Sequence, residues 1–265
     1  MTEHTEVLTP AELAARLTRQ GDHFVLNGAV GWMQGRTMYG GASSMIAYSA
    51  ARREFPDLPP LRAAQIGFIG PLGDNLTARV AMLRSGKSVS HVETSLWCDG
   101  ALVHRATWLF GSARADNGAV PAERLVDLPA RDSAATPHLL PGAPSFTRQL
   151  DVRRATSPRG EGRPVIRRWV RFHHRAGLDP YAELIAIGDA LPPGAFRAMK
   201  RAGPISSINW SFTVLGGALA NHDGWYLLET ASNHFGDGFS SETLRAWNDA
   251  GVEVLRGLQS VAIFG

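Results

Sequence analysis

Two distant stretches of this chain echo one another. Trp97-Cys98-Asp99-Gly100, Val103 to Trp108 and Leu109-Phe110-Gly111 are answered by Trp247-Asn248-Asp249-Ala250-Gly251, Val254 to Gln259 and Ile263-Phe264-Gly265. The spacing differs slightly, so this is a repeated pattern rather than a strict repeat. Each copy closes the same run of signals, one apolar helix followed by four or five strand-like segments. A pattern used twice confines the chain to an architecture with two similar halves, each α+β with one helix against an antiparallel sheet. The 265 residues are enough for two such units.

In the first half, Thr9-Pro10-Ala11-Glu12 reads as a helix cap with proline at the first helical position. Phe24 to Trp32 is strand-like. Gly40-Gly41 precede an apolar helix, Ala42 to Ala51, ended by Arg52, Arg53 and the turn at Pro56. Strand signals follow at Leu61 to Ile69, Leu76 to Leu83, Val89 to Trp97 and Ala101 to Phe110. Ser85-Gly86-Lys87 and Asp99-Gly100 are hairpin turns, so these four strands are expected as an antiparallel meander.

Residues 112–145 change composition, with Pro121, Pro129, Pro137, Pro141 and Pro144 among Ala, Asp and Ser. They read as a linker. The expected division is a first unit at 1–115, a linker at 116–145 and a second unit at 146–265. The second unit opens with strands Phe146 to Arg154 and Val165 to His174, then a helix, then strands Ile205 to Leu215, Trp225 to His234, Ser240 to Trp247 and Val252 to Phe264.

That second helix runs from Asp179, a good N-cap before Pro180, to Ala190, where Pro192-Pro193 stop it. Leu184, Ile185 and Ile187 make it apolar, hence buried. It nevertheless carries Asp189 near its end. A carboxylate in such a place must be paired, hydrogen-bonded or chemically active.

Other features exclude more than they assign. No apolar run reaches the length of a membrane span, and the polar Met1 to Glu6 is not a secretory signal. A single cysteine, Cys98, rules out an intrachain disulfide and a cysteine-based metal site. A cytoplasmic protein is the simplest expectation. From Arg148 to Arg175 nine arginines (148, 153, 154, 159, 163, 167, 168, 171, 175) stand against Asp151 and Glu161. The run fits a solvated basic sheet face, a surface for a phosphorylated small molecule or, third, nucleic acid. The last lacks both interleaved stacking aromatics and a helix-turn-helix or finger spacing, so no nucleic-acid partner is expected.

The words in this arrangement resemble the double-hotdog acyl-CoA thioesterases of the TesB type. They are Tyr39-Gly40-Gly41-Ala42, Phe68-Ile69-Gly70-Pro71, Leu83-Arg84-Ser85-Gly86 and Ser95-Leu96-Trp97 in the first half. In the second they are Ile187 to Pro193, Ser206 to Ser211, Asn233 to Gly238 and Gln259. The resemblance covers almost the whole chain from about residue 20. It implies two fused units in one continuous sheet, each curled round its helix. It implies hydrolysis of acyl-CoA to free acid and CoA, as in fatty acid metabolism, with no cofactor or metal. A homodimer is expected from the same resemblance.

In that family an Asp, a Thr or Ser and a Gln hold the attacking water. The matching positions here are Asp189, Ser207 and Gln259; serine keeps the hydroxyl of the commoner threonine without its methyl. Taken singly, these residues read as a helix-end cap, a strand serine and a strand-face glutamine. Gly40 and Gly41, at a helix N-terminus, are expected either to face the thioester oxygen or to allow close packing. The first helix has no acidic counterpart of Asp189, and Trp108 falls near the place of Gln259, so one site per chain is expected. A non-catalytic acyl-CoA-binding protein and a hotdog hydratase or dehydratase are the alternatives; the latter would need a helix His that Asp189 lacks nearby. Gly-x-Ser-x-Gly is absent from the sequence, against an α/β-hydrolase. Asp237 reads as a hairpin turn, His173-His174 as a strand face, and Cys98 lacks an obvious His partner.

Overall fold

The computed structural model describes residues 7–131, 143–155, 164–201, 203–216, 219 and 221–264. Thr9 and Glu12 form the expected capping box at the start of α1 (Pro10–Ala15). A small hairpin of β1 (Thr18–Gln20) and β2 (His23–Leu26) follows. The strand expected to reach Trp32 stops at Leu26, because Gly28 turns the chain with a φ of +79°. A 3-10 turn, Val30–Trp32, then carries Trp32 into the core, its indole N–H donating to the Leu8 carbonyl at 3.0 Å. The short strands β3 (Met33–Gln34) and β4 (Thr37–Met38) pair only with each other.

α2 (Gly40–Glu54) is longer than expected at both ends. It takes in both glycines, and Arg52 and Arg53 sit in its last turn, where cations suit the carbonyl end of a helix. Next come β5 (Leu61–Phe68), β6 (Leu76–Ser85), β7 (Val89–Cys98) and β8 (Ala101–Gly111). The second half supplies β9 (Leu150–Arg154), β10 (Val165–Phe172), α3 (Pro180–Gly188), β11 (Ile205–Val214), β12 (Tyr226–Gly236), β13 (Phe239–Trp247) and β14 (Glu253–Ile263). Asp99-Gly100 and Asp237-Gly238 are the hairpin tips, all four with positive φ.

Twelve strands form one antiparallel sheet in the order β1-β2-β6-β7-β8-β5-β11-β14-β13-β12-β10-β9. Read outward from the centre, β5-β8-β7-β6-β2-β1 repeats as β11-β14-β13-β12-β10-β9, so the duplication seen in the letters is a duplication of topology. The fold is a double hotdog. The expected four-strand meander is corrected at one point. β6, β7 and β8 do follow one another, but β5 pairs with β8 rather than β6. A plain meander would leave β5 beside β6, whose other edge β2 already takes. Closing on β8 instead puts β5 in mid-sheet, where β11 covers its remaining edge.

Alternation along the strands separates two faces. The inner face packs on α2 and α3 in one large apolar cluster. On the outer face of the second half, Trp169, Trp225, Leu227 and Trp247 form a smaller cluster, against which Leu125 and Leu128 pack. The Trp169 indole donates to the Pro129 carbonyl at 2.9 Å. Part of the stretch expected to be a linker, residues 132–142, and residues 156–163 lie outside the described residues.

The two helices meet through Tyr39, the N-cap of α2. Its hydroxyl donates to the Ala186 carbonyl near the end of α3 at 2.6 Å, and its ring stacks on Phe146 at 3.9 Å between centroids. The last carbonyls of a helix have no partner within it, and Tyr39 supplies one from the other half. Tyr39→Phe is expected to cost about 1–3 kcal/mol, the price of an unsatisfied buried acceptor, measured as a lower urea midpoint with unchanged circular dichroism.

Candidate active site

α3 ends one residue before its aspartate. The helix expected to reach Ala190 stops at Gly188, and Asp189 is its C-cap with φ −100° and ψ 10°. Pro192 and Pro193 forbid further helix. The carboxylate therefore projects from the carbonyl end of its own helix, the electrostatically unfavourable end.

One side-chain donor and one helix N-terminus face it there. Gln259 on β14 donates from Nε2 to Oδ1 at 2.8 Å. The backbone N–H of Gly41, in the first turn of α2, lies close enough to the same carboxyl to oppose its upward shift. Asp189 thus lies between the wrong end of one helix and the right end of the other. The residue is partly exposed, but its carboxyl group is withdrawn from water. Burial pushes it up from the usual carboxylate range to about 7, against the opposing pull of the Gln259 amide and the Gly41 N–H.

The two glycines are demanded by close approach. A Cβ on Gly40 would stand 2.6 Å from Asp189 Oδ2 and 3.1 Å from Phe68 Cε1. One on Gly41 would strike the Ala186 carbonyl and the Tyr39 ring. Close packing, one of the two expectations for this pair, is what these distances show.

Ser207 reaches the inner face through a bulge. It pairs with Val261 while Trp210 pairs with Gln259, and the register shifts between Ser207 and Asn209. Three residues apart, Ser207 and Trp210 would face opposite sides of a regular strand; the extra residue returns them to one side. Ser207 is therefore one inward position along the sheet from Gln259. Among the described residues its hydroxyl makes no hydrogen bond to Asp189 or Gln259.

The remaining candidates do not join this cluster. His173 and His174 are exposed, and Asp237 is a hairpin tip. Cys98 has only Asp99 as a weak partner, at 3.7 Å. No group of three or more His, Cys, Asp or Glu side chains with metal-binding proximity occurs among the described residues. Of the arginine run, Arg153 and Arg171 pair with Asp151, Arg167 with Glu229 and Arg175 with Glu183. Arg159 and Arg163 lie outside the described residues. Sequence reading quoted Tyr39 and Phe68 as family words but gave neither a place at the site, because their contacts appear only when the two helices are side by side.

Residues 29–111 match a family model described as the acyl-CoA thioesterase N-terminal domain. Residues 122–263, more than half the chain, match the acyl-CoA thioesterase C-terminal domain. The chain belongs to the acyl-CoA thioesterase family. Solved structures agree on the fold. A hot dog fold protein of unknown function from Alicyclobacillus acidocaldarius superposes with a TM-score of 0.79 at 21% identity, covering 98% of this chain and 99% of that one. The tesB protein of Mycobacterium avium subs paratuberculosis gives 0.78 at 18% identity, over 97% and 100% of the two chains. Acyl-CoA thioesterase II TesB2 of Mycobacterium marinum gives 0.74 at 15%, over 95% and 97%. No match is found among curated protein sequences. Among the described residues of this acyl-CoA thioesterase family member, no helix is long and apolar enough to cross a membrane.

A carboxyl that holds its proton more tightly when folded favours the folded state at low pH. That contribution is complete below the unfolded value of 3.8 and is lost as pH rises through about 7. Asp189→Asn has no such loss. Between pH 4 and pH 8 the stability difference should therefore move in the variant's favour by roughly a few kcal/mol, read from denaturation midpoints across that range.

Proposed function

We propose that the protein hydrolyses acyl-CoA to a free acid and CoA, with Asp189 as general base. The observation that carries this reading is a carboxyl raised to about 7, held by Gln259 and faced by Gly41 where the two helices meet. A base with a value near the working pH removes a proton most effectively. Family membership supports the substrate class.

Asp189 takes a proton from a bound water, and the oxygen attacks the thioester carbonyl carbon. The C=O electrons move to oxygen, giving a tetrahedral intermediate. When the intermediate collapses, the C–S bond breaks and the proton held by Asp189 passes to the departing thiolate. Asp189 is then a carboxylate again, and no covalent acyl-enzyme forms. The Gln259 amide fixes the carboxylate, and the Ser207 hydroxyl, on the same face, orients the water. The N-terminal end of α2 at Gly40-Gly41 lends positive potential to the developing oxyanion. The ion pairs along the arginine run favour a structural role there over recognition of CoA phosphates.

Purified protein should release thiol from part of an acyl-CoA series running from acetyl to palmitoyl. The rate should rise with pH through about 7 and then level, because the base works only when deprotonated. Asp189→Asn should lower kcat by about 100-fold or more. Ser207→Ala and Gln259→Ala should reduce it less. Thiol release by Asp189→Asn at the wild-type rate would remove Asp189 from the mechanism. Binding of acyl-CoA without release would point to the non-catalytic reading.

A further inference from the structure

Glu242 is a fully buried carboxylate (0% exposed) that the hydrolytic chemistry does not use. It lies on β13 directly opposite Gln259 of β14, so the two side chains enter the inner face side by side. No basic side chain lies within ion-pair distance of it among the described residues. It is held by hydrogen-bond donors instead. Oε2 accepts from the Gly194 N–H at 2.7 Å, Oε1 from the Ala195 N–H at 3.2 Å, and the Ser240 hydroxyl donates to Oε1. Ser240 and Ser232 are 2.9 Å apart, hydroxyl to hydroxyl.

The segment it grips follows Asp189. Gly194 begins the 3-10 turn Gly194–Arg197, directly after Pro192-Pro193. The Thr230 hydroxyl donates to the Pro192 carbonyl at 2.8 Å. There is no room to shift: a Cβ on Gly194 would meet the Pro164 carbonyl at 2.5 Å and the Ser232 nitrogen at 2.7 Å. Asp189 is thus held twice from neighbouring strands. Gln259 takes its side chain, while Glu242 and Thr230 take the backbone three to six residues beyond.

We infer that Glu242 is a positioning residue for the hydrolytic site, anchoring the Pro192–Ala195 turn so that the Asp189 carboxyl stays against Gln259 and Gly41. This rests on the reading of Asp189 as the base. Burying a lone carboxylate is costly, and an apolar residue of like size would fill the space without that cost. What the apolar residue lacks is two acceptor oxygens for two adjacent N–H groups. Glutamine lacks them too: its NH2 end would face a donor, so Glu242→Gln keeps the volume and releases one side of the grip.

The test follows the titration of Asp189 directly, by 13C-carboxyl NMR of aspartate-labelled protein, with Asp189→Asn identifying the resonance. In Glu242→Gln the Asp189 carboxyl should become better solvated, and its midpoint should fall from about 7 toward the ordinary range. Turnover should fall about 10- to 100-fold in kcat with little change in KM, since displacement of a reacting group by an ångström costs that much. Thr230→Val, which keeps the shape and leaves the buried carboxylate in place, should move both readings the same way by less. An unmoved midpoint in the folded variants overturns the inference, whatever their melting temperatures. If wild-type protein released no thiol from any acyl-CoA, the hydrolytic reading would fall, while the titration would still decide the role of the clamp.

Discussion

Cross-strand pairing between β5 and β11, from Asn209 with Gly67 to Thr213 with Ala63, is the seam on which the site depends. It fuses two similar sheets into one and sets their helices side by side on the inner face. Only there can the N-terminus of α2 lie against the C-terminus of α3. Both Tyr39 to Ala186 and Gly41 to Asp189 bridge this junction. A carboxylate at the end of α3 in an isolated second half would have Gln259 but no helix N-terminus opposite it.

The two halves therefore contribute unequally to the candidate site. The second half brings Asp189, Ser207 and Gln259; the first brings the glycine pair that lets α2 approach and one N–H. Phe68, at the end of β5, closes the side next to Gly40. The first half carries Trp108, fully buried, near the place where a second glutamine would stand. Its indole bonds to Thr94 at 3.1 Å, the side chain of a core rather than of a site.

Much of this was legible in the letters, and the failures have physical causes. Strands β5 to β8 and β11 to β14 were readable because alternation and Asp-Gly turns are local signals. Pairing of β5 with β8 was not, since strand order depends on which edges remain free after the whole sheet assembles. The end of α3 was misread by two residues because the two prolines limit a helix without saying where it frays. The bulge at Ser207 cannot be seen in a run as ordinary as Ser206-Ser207-Ile208-Asn209. Glu242 did carry a signal: in β13 it shares the inward phase with Leu244 and Ala246, and a glutamate in that phase needs an explanation.

The two outermost strands set a boundary of another kind. Among the described residues the twelve-stranded sheet has two open edges, β1, with three residues, and β9, with five, the latter bearing Arg153 and Arg154. Short, charged edges are poor templates for another chain's backbone. The architecture that gathers so many strands into one surface thereby resists continuing that surface into a neighbour. Self-association through runaway strand addition is discouraged at both ends, and the long strands with the strongest pairing potential are sequestered at the centre.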